Sequence, residues 1–321
     1  MEGAPFDVLV IGAGPAGLAA AMFTARRGLR TCVLSKDIGG QAALTDTIEN
    51  YPGIASVSGR SLVETMRGQA TRDGADWQFG EAISIVSDAS LHLVRTAEGT
   101  TIAARTIILA FGLTPNDLDC LGEAPLRGRG LYYSAVADAP MQDGKTVAVV
   151  GGGNAAVTAA LELAPRAARV YCIHRREEFR AEQVLLDRLL ALPNVVCCRS
   201  TVVAEVRGDD RVRELVLAPA TDGASRVLAV DSVFVQIGYS AKTNWLDGVV
   251  ARNARREVMI DRDCQTNAPG IFAAGDITDI SYKQAVISAG EGVKAALQAF
   301  KYLQTQAGRP AVMFDWEVKT V

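Results

Sequence analysis

Short apolar segments recur along the chain and are separated by longer stretches that are alanine-rich or amphipathic. This pattern predicts strands at residues 8–11, 30–34, 106–110, 147–150, 169–173 and 194–198, with further strands up to about residue 236. Residues 106–110 are apolar almost throughout, as expected of a strand buried on both faces of a sheet. Alternating segments at 82–86, 91–96 and 101–103 predict additional short strands.

Helix signals occupy the intervals between these strands. The first helix follows the first strand and ends near Arg27, where Gly28 provides a stop. Ser61 and Glu64 have the spacing of a capping box, which predicts a helix from there to about Gly74. Further helices are predicted at 154–164, 178–191 and 283–304. The alternation of strands and helices predicts an α/β fold with parallel sheets.

Two glycine-rich turns each join a predicted strand to an alanine-rich helix, at residues 8–17 (VLVIGAGPAG) and 147–156 (VAVVGGGNAA). Glycines in this setting let backbone N–H groups and a helix N-terminus approach a pyrophosphate. Two such turns in one chain predict two bound dinucleotides, and the simplest pair is a flavin and a nicotinamide.

Composition and charge narrow the class of protein. The length of 321 residues is sufficient for two domains. The net charge of −3 provides no basic field for nucleic acid and no cationic cluster for a membrane surface. Glu2 and Asp7 stand where a signal peptide would be basic, so the apolar start is interpreted as the first strand. These features predict a cytoplasmic enzyme that binds neither nucleic acid nor a membrane.

The cysteines show neither a metal-binding spacing nor the framework of a disulfide-rich protein. They are Cys32, Cys120, Cys172, Cys197, Cys198 and Cys264. This usage suits a reducing compartment, and no metal site is expected. Cys197 and Cys198 are adjacent on a predicted strand, so their side chains should point to opposite faces.

Motifs around and beyond the first glycine turn resemble those of the low-molecular-weight thioredoxin reductases, in order and over nearly the whole chain. Segments 39–41 (GGQ), 49–53 (ENYPG), 275–276 (GD) and 282–285 (YKQA) match flavin-side segments of that family. The resemblance implies FAD bound by Gly12, Gly14, Pro15, Ala16, Gly17, Gly40, Gln41, Asn50, Gly275, Asp276, Gln284 and Ala285. It also implies a homodimer.

The same resemblance implies a domain arrangement. Two Rossmann-like, three-layer domains are expected, with the NAD(P)H-binding domain inserted into a discontinuous FAD-binding domain. The FAD-binding domain would comprise residues 1–115 and 246–321, and the NAD(P)H-binding domain residues 116–245.

Arginines follow the strand after the second glycine turn, where a dinucleotide ribose is bound in such folds. An acidic residue there binds the ribose 2′-hydroxyl of NAD, whereas arginines accommodate the 2′-phosphate of NADP. This predicts NADPH rather than NADH; the alternative is a solvated basic start to the helix at 178–191. The residues predicted to bind NADPH are Gly151, Gly153, Asn154, Ala155, His174, Arg175, Arg176 and Arg180.

The chain departs from the thioredoxin reductases at the residues that carry their redox chemistry. That family has Cys-x-x-Cys-Asp before the second glycine turn, where this chain has Ser134, Ala137 and Asp138. A serine hydroxyl cannot form a disulfide, so thioredoxin reduction by the family's mechanism is not expected. Asp138 alone retains the family's residue and is a candidate catalytic group.

Further departures concern the flavin side. Phe111 stands where the family has threonine, which predicts altered access or affinity near the cofactor. Asp37 is displaced from the position of the acid that binds the FAD ribose. Residues 309–318 have a strand-like pattern. They are expected either to pack on the protein surface or to cover the flavin, as a C-terminal ring does in thioredoxin-reductase-type ferredoxin/flavodoxin–NADP reductases.

The favoured function is an NADPH-dependent FAD oxidoreductase that lacks a redox dithiol. Its acceptor would be a small molecule or a small redox protein, such as ferredoxin, flavodoxin, a quinone or oxygen. One alternative is a thiol or disulfide oxidoreductase using non-standard cysteines, for which Cys120 is the best candidate. The other is a flavin or nucleotide sensor without turnover.

Overall fold

Strands and helices alternate along the chain in a computed structural model that describes residues 4–88, 91–221 and 223–311, with the backbone alone at 136 and 137. The strands are β1 (Phe6–Ile11), β2 (Thr31–Ser35), β3 (Asp76–Phe79), β4 (Ala82–Ser87), β5 (His92–Thr96), β6 (Thr101–Leu109), β7 (Thr114–Pro115), β8 (Leu131–Tyr132), β9 (Thr146–Val150), β10 (Arg169–Ile173), β11 (Val195–Cys198), β12 (Thr201–Arg207), β13 (Glu214–Pro219), β14 (Arg226–Ala229), β15 (Ser232–Val235), β16 (Tyr239–Ser240) and β17 (Ile271–Ala273).

The helices are α1 (Pro15–Arg26), α2 (Gly40–Ala43), α3 (Gly59–Arg72), α4 (Glu123–Leu126), α5 (Ala135–Asp138), α6 (Asn154–Leu163), α7 (Gln183–Leu190) and α8 (Ala285–Gln306). Short 3₁₀ turns occupy Ala139–Gln142, Asn244–Leu246 and Gly275–Ile277. In the part of the chain that the structure describes, no helix combines the length and apolar character needed to cross a bilayer.

Internal contacts divide the chain into two units. Unit 1 comprises residues 1–113 and 241–321, and unit 2 comprises residues 114–240. The prediction placed the boundaries after residues 115 and 245. Trp245 lies in unit 1 because its ring packs against Phe111, with 5.4 Å between the ring centroids.

Unit 1 is built on a sheet of strand order β3-β2-β1-β6-β5-β4, with β17 paired in parallel to β6. Side chains alternate across its central strands: Val8 and Val10 face α1, α3 and α8, whereas Leu9 and Ile11 face the opposite side. That opposite side is covered by β4, β5 and the chain around residues 246–258. Strands buried on both faces explain why their sequences are apolar without alternation.

Unit 2 has the parallel sheet β11-β10-β9-β15-β8. Helices α6 and α7 cover one face, and the antiparallel sheet β12-β13-β14 covers the other. Both units therefore have three layers around a parallel sheet, which confirms the predicted α/β, Rossmann-like fold class.

Some predicted elements differ from the structure. Helix α3 begins earlier than predicted because Ser58 is its N-cap, with the hydroxyl accepting from the Ser61 N–H at 3.1 Å. Ser61 therefore lies inside α3 and cannot be its N-cap, so the predicted capping box of Ser61 and Glu64 is wrong. The predicted strands 101–103 and 106–110 are one strand, β6, whose first half pairs with β5 and whose second half pairs with β17.

The helix predicted at 178–191 is α7, which begins five residues later than predicted, at Gln183. Glu182 is the residue before α7, and residues 178–182 form an irregular segment. Asn154 holds this segment: its Oδ1 accepts from the Glu182 N–H at 2.8 Å, and its Nδ2 donates to the Glu182 carboxylate at 2.8 Å. The predicted C-terminal extension lies almost entirely outside the described residues.

Candidate functional site

The first glycine turn brings the start of α1 against the end of β6. Gly12 has φ +108°, and a Cβ there would lie 2.5 Å from the Ala110 carbonyl oxygen. A Cβ on Gly17 would lie 1.9 Å from the Gly12 oxygen, so strand and helix approach closely only because both residues are glycine. Gly14 is the N-cap of α1, with no side-chain cap, and Pro15 follows it in the first turn. The N-terminus of α1 is thus open for an anion.

A separate glycine pair, Gly39 and Gly40, lies beside the first glycine turn. The Gly39 N–H donates to the Ala13 oxygen at 2.8 Å, and a Cβ on Gly40 would be 3.8 Å from the Gly14 Cα. The Asp37 carboxylate accepts from the Gly40 N–H at 3.1 Å. Gln41 follows in α2 and is exposed. Asp37 therefore stabilises the start of α2.

Asp276 reaches the first glycine turn through its neighbour Gly275. A Cβ on Gly275, which has φ +78°, would lie 2.9 Å from the Ala16 Cβ. The Ser288 hydroxyl donates to the Asp276 carboxylate at 3.1 Å, and the Gly275 N–H donates to the Glu291 carboxylate at 2.9 Å. This brings the Gly275–Asp276 segment next to the start of α1.

Glu291 is a site residue that the sequence reasoning missed. It is 7% exposed, and burial raises its pKa although the Gly275 N–H opposes that shift. A carboxylate in the second turn of an alanine-rich helix gives no local signal of this role. Only the fold, which packs α8 against α1, shows it.

The segment before α8 is also held in place. Lys283 donates to the Asp276 carbonyl oxygen at 3.1 Å and lies 3.4 Å from the buried Glu257 carboxylate. The Asn50 amide donates to the Gln284 side-chain oxygen at 3.1 Å. Ala285 then begins α8. Contacts therefore join predicted FAD residues of the two chain segments of unit 1, at Gly275 with Ala16 and at Asn50 with Gln284.

In unit 2 the second glycine turn packs against other residues than the first turn does. A Cβ on Gly151 would lie 2.2 Å from the Gln236 oxygen, and one on Gly152 would lie 2.2 Å from the His174 ring. Gly153 is the N-cap of α6, without a side-chain cap, and a Cβ there would meet nothing within 4 Å. The sequence reasoning omitted Gly152, whose lack of a side chain admits the His174 ring.

His174 is buried beneath this turn. It is 4% exposed, its ring centroid lies 5.2 Å from that of Phe179, and its buried Nε2 has no hydrogen-bond partner among the described residues. Burial lowers its pKa, and the nearby arginines lower it further. The ring is therefore neutral near pH 7 and supports the turn from below.

The three predicted arginines lie near His174, whose pKa their charges lower. Arg175, Arg176 and Arg180 are exposed. The Arg180 N–H donates to the Gly152 oxygen at 2.6 Å, and this arginine lies in the irregular segment before α7. Asn154 and Ala155 form the exposed first turn of α6. The arginine-bearing segment therefore lies against the glycine turn that precedes α6.

The segment that the sequence predicts to correspond to the family's redox dithiol includes the short helix α5. Ser134 is half-buried and precedes α5; Ala137 lies within it, and its side chain is outside the described atoms. Burial raises the pKa of Asp138. The hydroxyl of Tyr133, just before this segment, donates to the buried Glu123 carboxylate at 3.1 Å and to the Asp117 carboxylate at 2.8 Å.

None of the cysteines is in a disulfide. Burial, followed by the charge of Glu123, raises the pKa of the Cys120 thiol to about 11, which disfavours the thiolate that an alternative redox role requires. Among the described residues, no group of His, Cys, Asp and Glu side chains has the arrangement of a metal site.

Comparison with known proteins identifies the family to which the chain belongs. Residues 6–292 match the family model described as pyridine nucleotide-disulphide oxidoreductase. The F subunit of the alkyl hydroperoxide reductase of Pseudomonas putida is 41% identical over 302 residues, covering 93% of this chain and 58% of that protein. A Bacillus subtilis NADH dehydrogenase is 36% identical, covering 93% of this chain and 59% of that protein.

The chain therefore spans about three fifths of the length of these relatives. The crystal structure of Lactococcus lactis thioredoxin reductase superposes with a TM-score of 0.79 at 29% identity, covering 94% of this chain and 99% of that chain. The family implies a flavin and a pyridine nucleotide. The chain belongs to the pyridine nucleotide-disulphide oxidoreductase family and has the thioredoxin-reductase-like fold.

Proposed function

We propose that unit 1 binds FAD, that unit 2 binds NADPH, and that electrons pass from NADPH through FAD to an acceptor without a dithiol at residues 134 and 137. One observation carries the proposal. Each unit presents a helix N-terminus capped by a glycine, at Gly14 and at Gly153, with no capping side chain. These positions suit the pyrophosphates of two dinucleotides.

The residues of unit 1 fit FAD in charge and in space. Backbone N–H groups at the start of α1 would receive the pyrophosphate, and the close packing of Gly12 and Gly17 holds that turn. Asp276, oriented by Ser288, would accept from hydroxyl groups of the ribityl chain. Gln284 and Asn50 hold each other at the edge of the same cluster.

The residues of unit 2 fit NADPH. The start of α6 would receive the pyrophosphate, while Arg175, Arg176 and Arg180 would bind the 2′-phosphate through charge-assisted hydrogen bonds. The neutral ring of His174 supports the turn at Gly152 without adding charge. Phosphate affinity therefore rests on the arginines.

When bound, FAD would accept a hydride from NADPH and release the electrons to a further acceptor. The chain itself would orient both cofactors and control which acceptor approaches. Ser134 offers no thiolate at the position where the family carries one, so a disulfide has no relay there. We propose a small diffusible molecule or a small redox protein as acceptor, and a cytoplasmic homodimer as the working form.

An anaerobic NADPH titration of the purified yellow protein, followed spectroscopically, tests the proposal. Flavin bleaching by NADPH, followed by turnover with a quinone but not with thioredoxin, is the expected result. Bleaching without turnover of any acceptor would favour a redox sensor. Absence of bound FAD would contradict the proposal.

A variant with all six cysteines replaced by serine or alanine separates the remaining alternative. We expect this variant to keep quinone turnover, because the proposed electron path uses no sulfur. Loss of turnover with retained flavin bleaching would show a thiol oxidoreductase that uses non-standard cysteines.

A further inference from the structure

Cys172 and Cys197 face each other on neighbouring strands of unit 2. They are register partners in the parallel pair β10–β11, so their side chains lie on the same face of the sheet. Neighbouring strands lie about 4.8 Å apart, within the Cα separation of roughly 4.4–6.8 Å that a disulfide spans. Both side chains belong to the same apolar cluster on that face, and each influences the pKa of the other. The two thiols are therefore neighbours across the strand pair.

The two thiols differ in exposure and acidity. Cys172 lies on β10, inside the sheet, and is 3% exposed, whereas Cys197 is half-buried on β11 at the sheet edge. The neighbouring Cys172 thiol and the charge of Arg199 lower the pKa of Cys197 against the opposing effect of burial. The neighbouring Cys197 and deeper burial raise the pKa of Cys172. Cys197 is thus the thiol that ionises first and that a small oxidant reaches.

The other cysteines lack this arrangement. Cys198, next in sequence, points to the opposite face of the sheet, where the Arg226 guanidinium lies 3.1 Å from its sulfur. Burial raises the pKa of Cys32 and of Cys264 to about 12 in each case. Among the six cysteines, all of which the structure describes, an acidic and partly exposed thiol next to a second thiol occurs at Cys172 and Cys197 alone.

We propose that Cys172 and Cys197 form a redox-sensitive pair that a hydroperoxide converts to a disulfide between β10 and β11. The Cys197 thiolate attacks the peroxide, the O–O bond breaks, and water or an alcohol leaves, so that Cys197 becomes a sulfenic acid. The Cys172 sulfur then attacks the Cys197 sulfur, and hydroxide leaves and takes the Cys172 proton as water. The two thiols lose two electrons, and one peroxide is reduced.

Peroxide treatment of the reduced full chain tests this pair. The protein is exposed to one equivalent of hydrogen peroxide, alkylated, digested with trypsin and analysed by mass spectrometry. We expect a peptide containing Cys172 linked to one containing Cys197, the loss of two thiols per chain, and recovery of both after dithiothreitol. These measurements require no turnover, so they stand apart from the proposed electron transfer.

Matched variants identify which sulfur atoms form the disulfide. Cys198→Ser, altered one residue away on the opposite face, should form the same link, whereas Cys197→Ser should form none. Cys172→Ser, or Cys172→Ala if the serine variant folds poorly, should leave a Cys197 sulfenic acid that dimedone labels. A link through Cys198, or equal oxidation of all six cysteines, would overturn the proposal.

Discussion

At the scale of single residues, similar side chains have different roles because of their partners. Asp37 and Asp276 were both candidates for contacts to FAD. The Asp37 carboxylate accepts from the Gly40 N–H and is committed to the start of α2. Asp276 is held by Ser288 in the segment that contacts Ala16. We therefore expect Asp276, rather than Asp37, to contact the flavin.

We expect Asp276→Ala to weaken FAD retention more than Asp37→Ala does. Loss of a hydrogen bond to a charged group corresponds to about 1.5–3 kcal/mol, or roughly ten- to a hundredfold in affinity. Equilibrium dialysis of the FAD complex of each variant measures the difference. Equal FAD affinity of the two variants would contradict the assignment of Asp276.

Arg176→Ala should reduce the preference for NADPH over NADH. A lost contact to the 2′-phosphate costs about 1.5–3 kcal/mol with NADPH and nothing with NADH. The ratio of kcat/KM for the two nucleotides is the measurement. Arg188→Ala, at an exposed position on α7, is the control and should leave the ratio unchanged. Equal use of both nucleotides by the unaltered chain would refute the phosphate clamp.

Glu291 links stability to pH. Burial raises its pKa in the folded chain, so folding disfavours its charged form. Below the unfolded-state pKa, Glu291 is protonated in the folded and in the unfolded state, so its burial does not lower the free energy of unfolding through ionisation. As the pH rises towards the raised pKa, this loss in the free energy of unfolding grows, and above the raised pKa it is constant. Glu291→Gln should therefore gain stability relative to the unaltered chain as the pH of urea unfolding rises from below the unfolded-state pKa, about 4.3, to neutrality. A pH-independent difference would show that Glu291 is not linked to folding in this way.

At the scale of elements, the contact of α8 with α1 joins the two chain segments of unit 1. A Cβ on Gly292 would lie 2.0 Å from the Ala16 carbonyl oxygen, so the two helices approach backbone to backbone. The same contact region holds Glu291 and Gly275. The position of the predicted flavin residues near α8 therefore depends on this helix pair.

Gly292→Ala should destabilise the protein by about 1–3 kcal/mol, as overpacking in a well-packed core does, and weaken FAD binding with it. Gly290→Ala is the matched control on the same helix, where an added Cβ meets nothing within 4 Å. The control should be neutral or stabilising by about 0.5–1 kcal/mol, since alanine favours helix over glycine. Urea unfolding of both variants gives the comparison, and similar effects of the two substitutions would contradict the close packing.

At the scale of the whole molecule, the chain has the three-layer units of its family, and the sequence predicts that it lacks the sulfurs through which electrons reach a disulfide. Relatives named for alkyl hydroperoxide reduction and thioredoxin reduction share the fold. We expect Ser134 and Ala137 to stand at the positions of the dithiol. On that alignment the fold is retained while the acceptor changes.

Replacing both residues should restore a disulfide relay. We expect the double variant Ser134→Cys/Ala137→Cys to gain NADPH-dependent reduction of a small aromatic disulfide, and the unaltered chain to show none. Each single variant is a control and should show no gain, because one thiol cannot cycle through an internal disulfide. Robust thioredoxin reduction by the unaltered chain would show that the alignment of these two positions is wrong.

The sequence alone was sufficient for features that depend on local backbone chemistry. The two glycine turns, the strands β1, β9 and β10, and the helices that follow the turns were predicted correctly because each is encoded within about twenty residues. The α/β class followed from their alternation. The family motifs also lie in short continuous segments and could be recognised without a structure.

How distant segments meet became visible only in the folded chain. The contact of Gly275 with Ala16, the hydrogen bond of Asn50 to Gln284, and the buried role of Glu291 join residues that share no local pattern. Helix α7 begins later than predicted because the side chain of Asn154, on α6, binds Glu182. Strand order paired Cys172 with Cys197, whereas the sequence alone showed only that Cys197 and the adjacent Cys198 point to opposite faces. Register and packing are set by the burial of whole faces, and this is determined when the elements assemble.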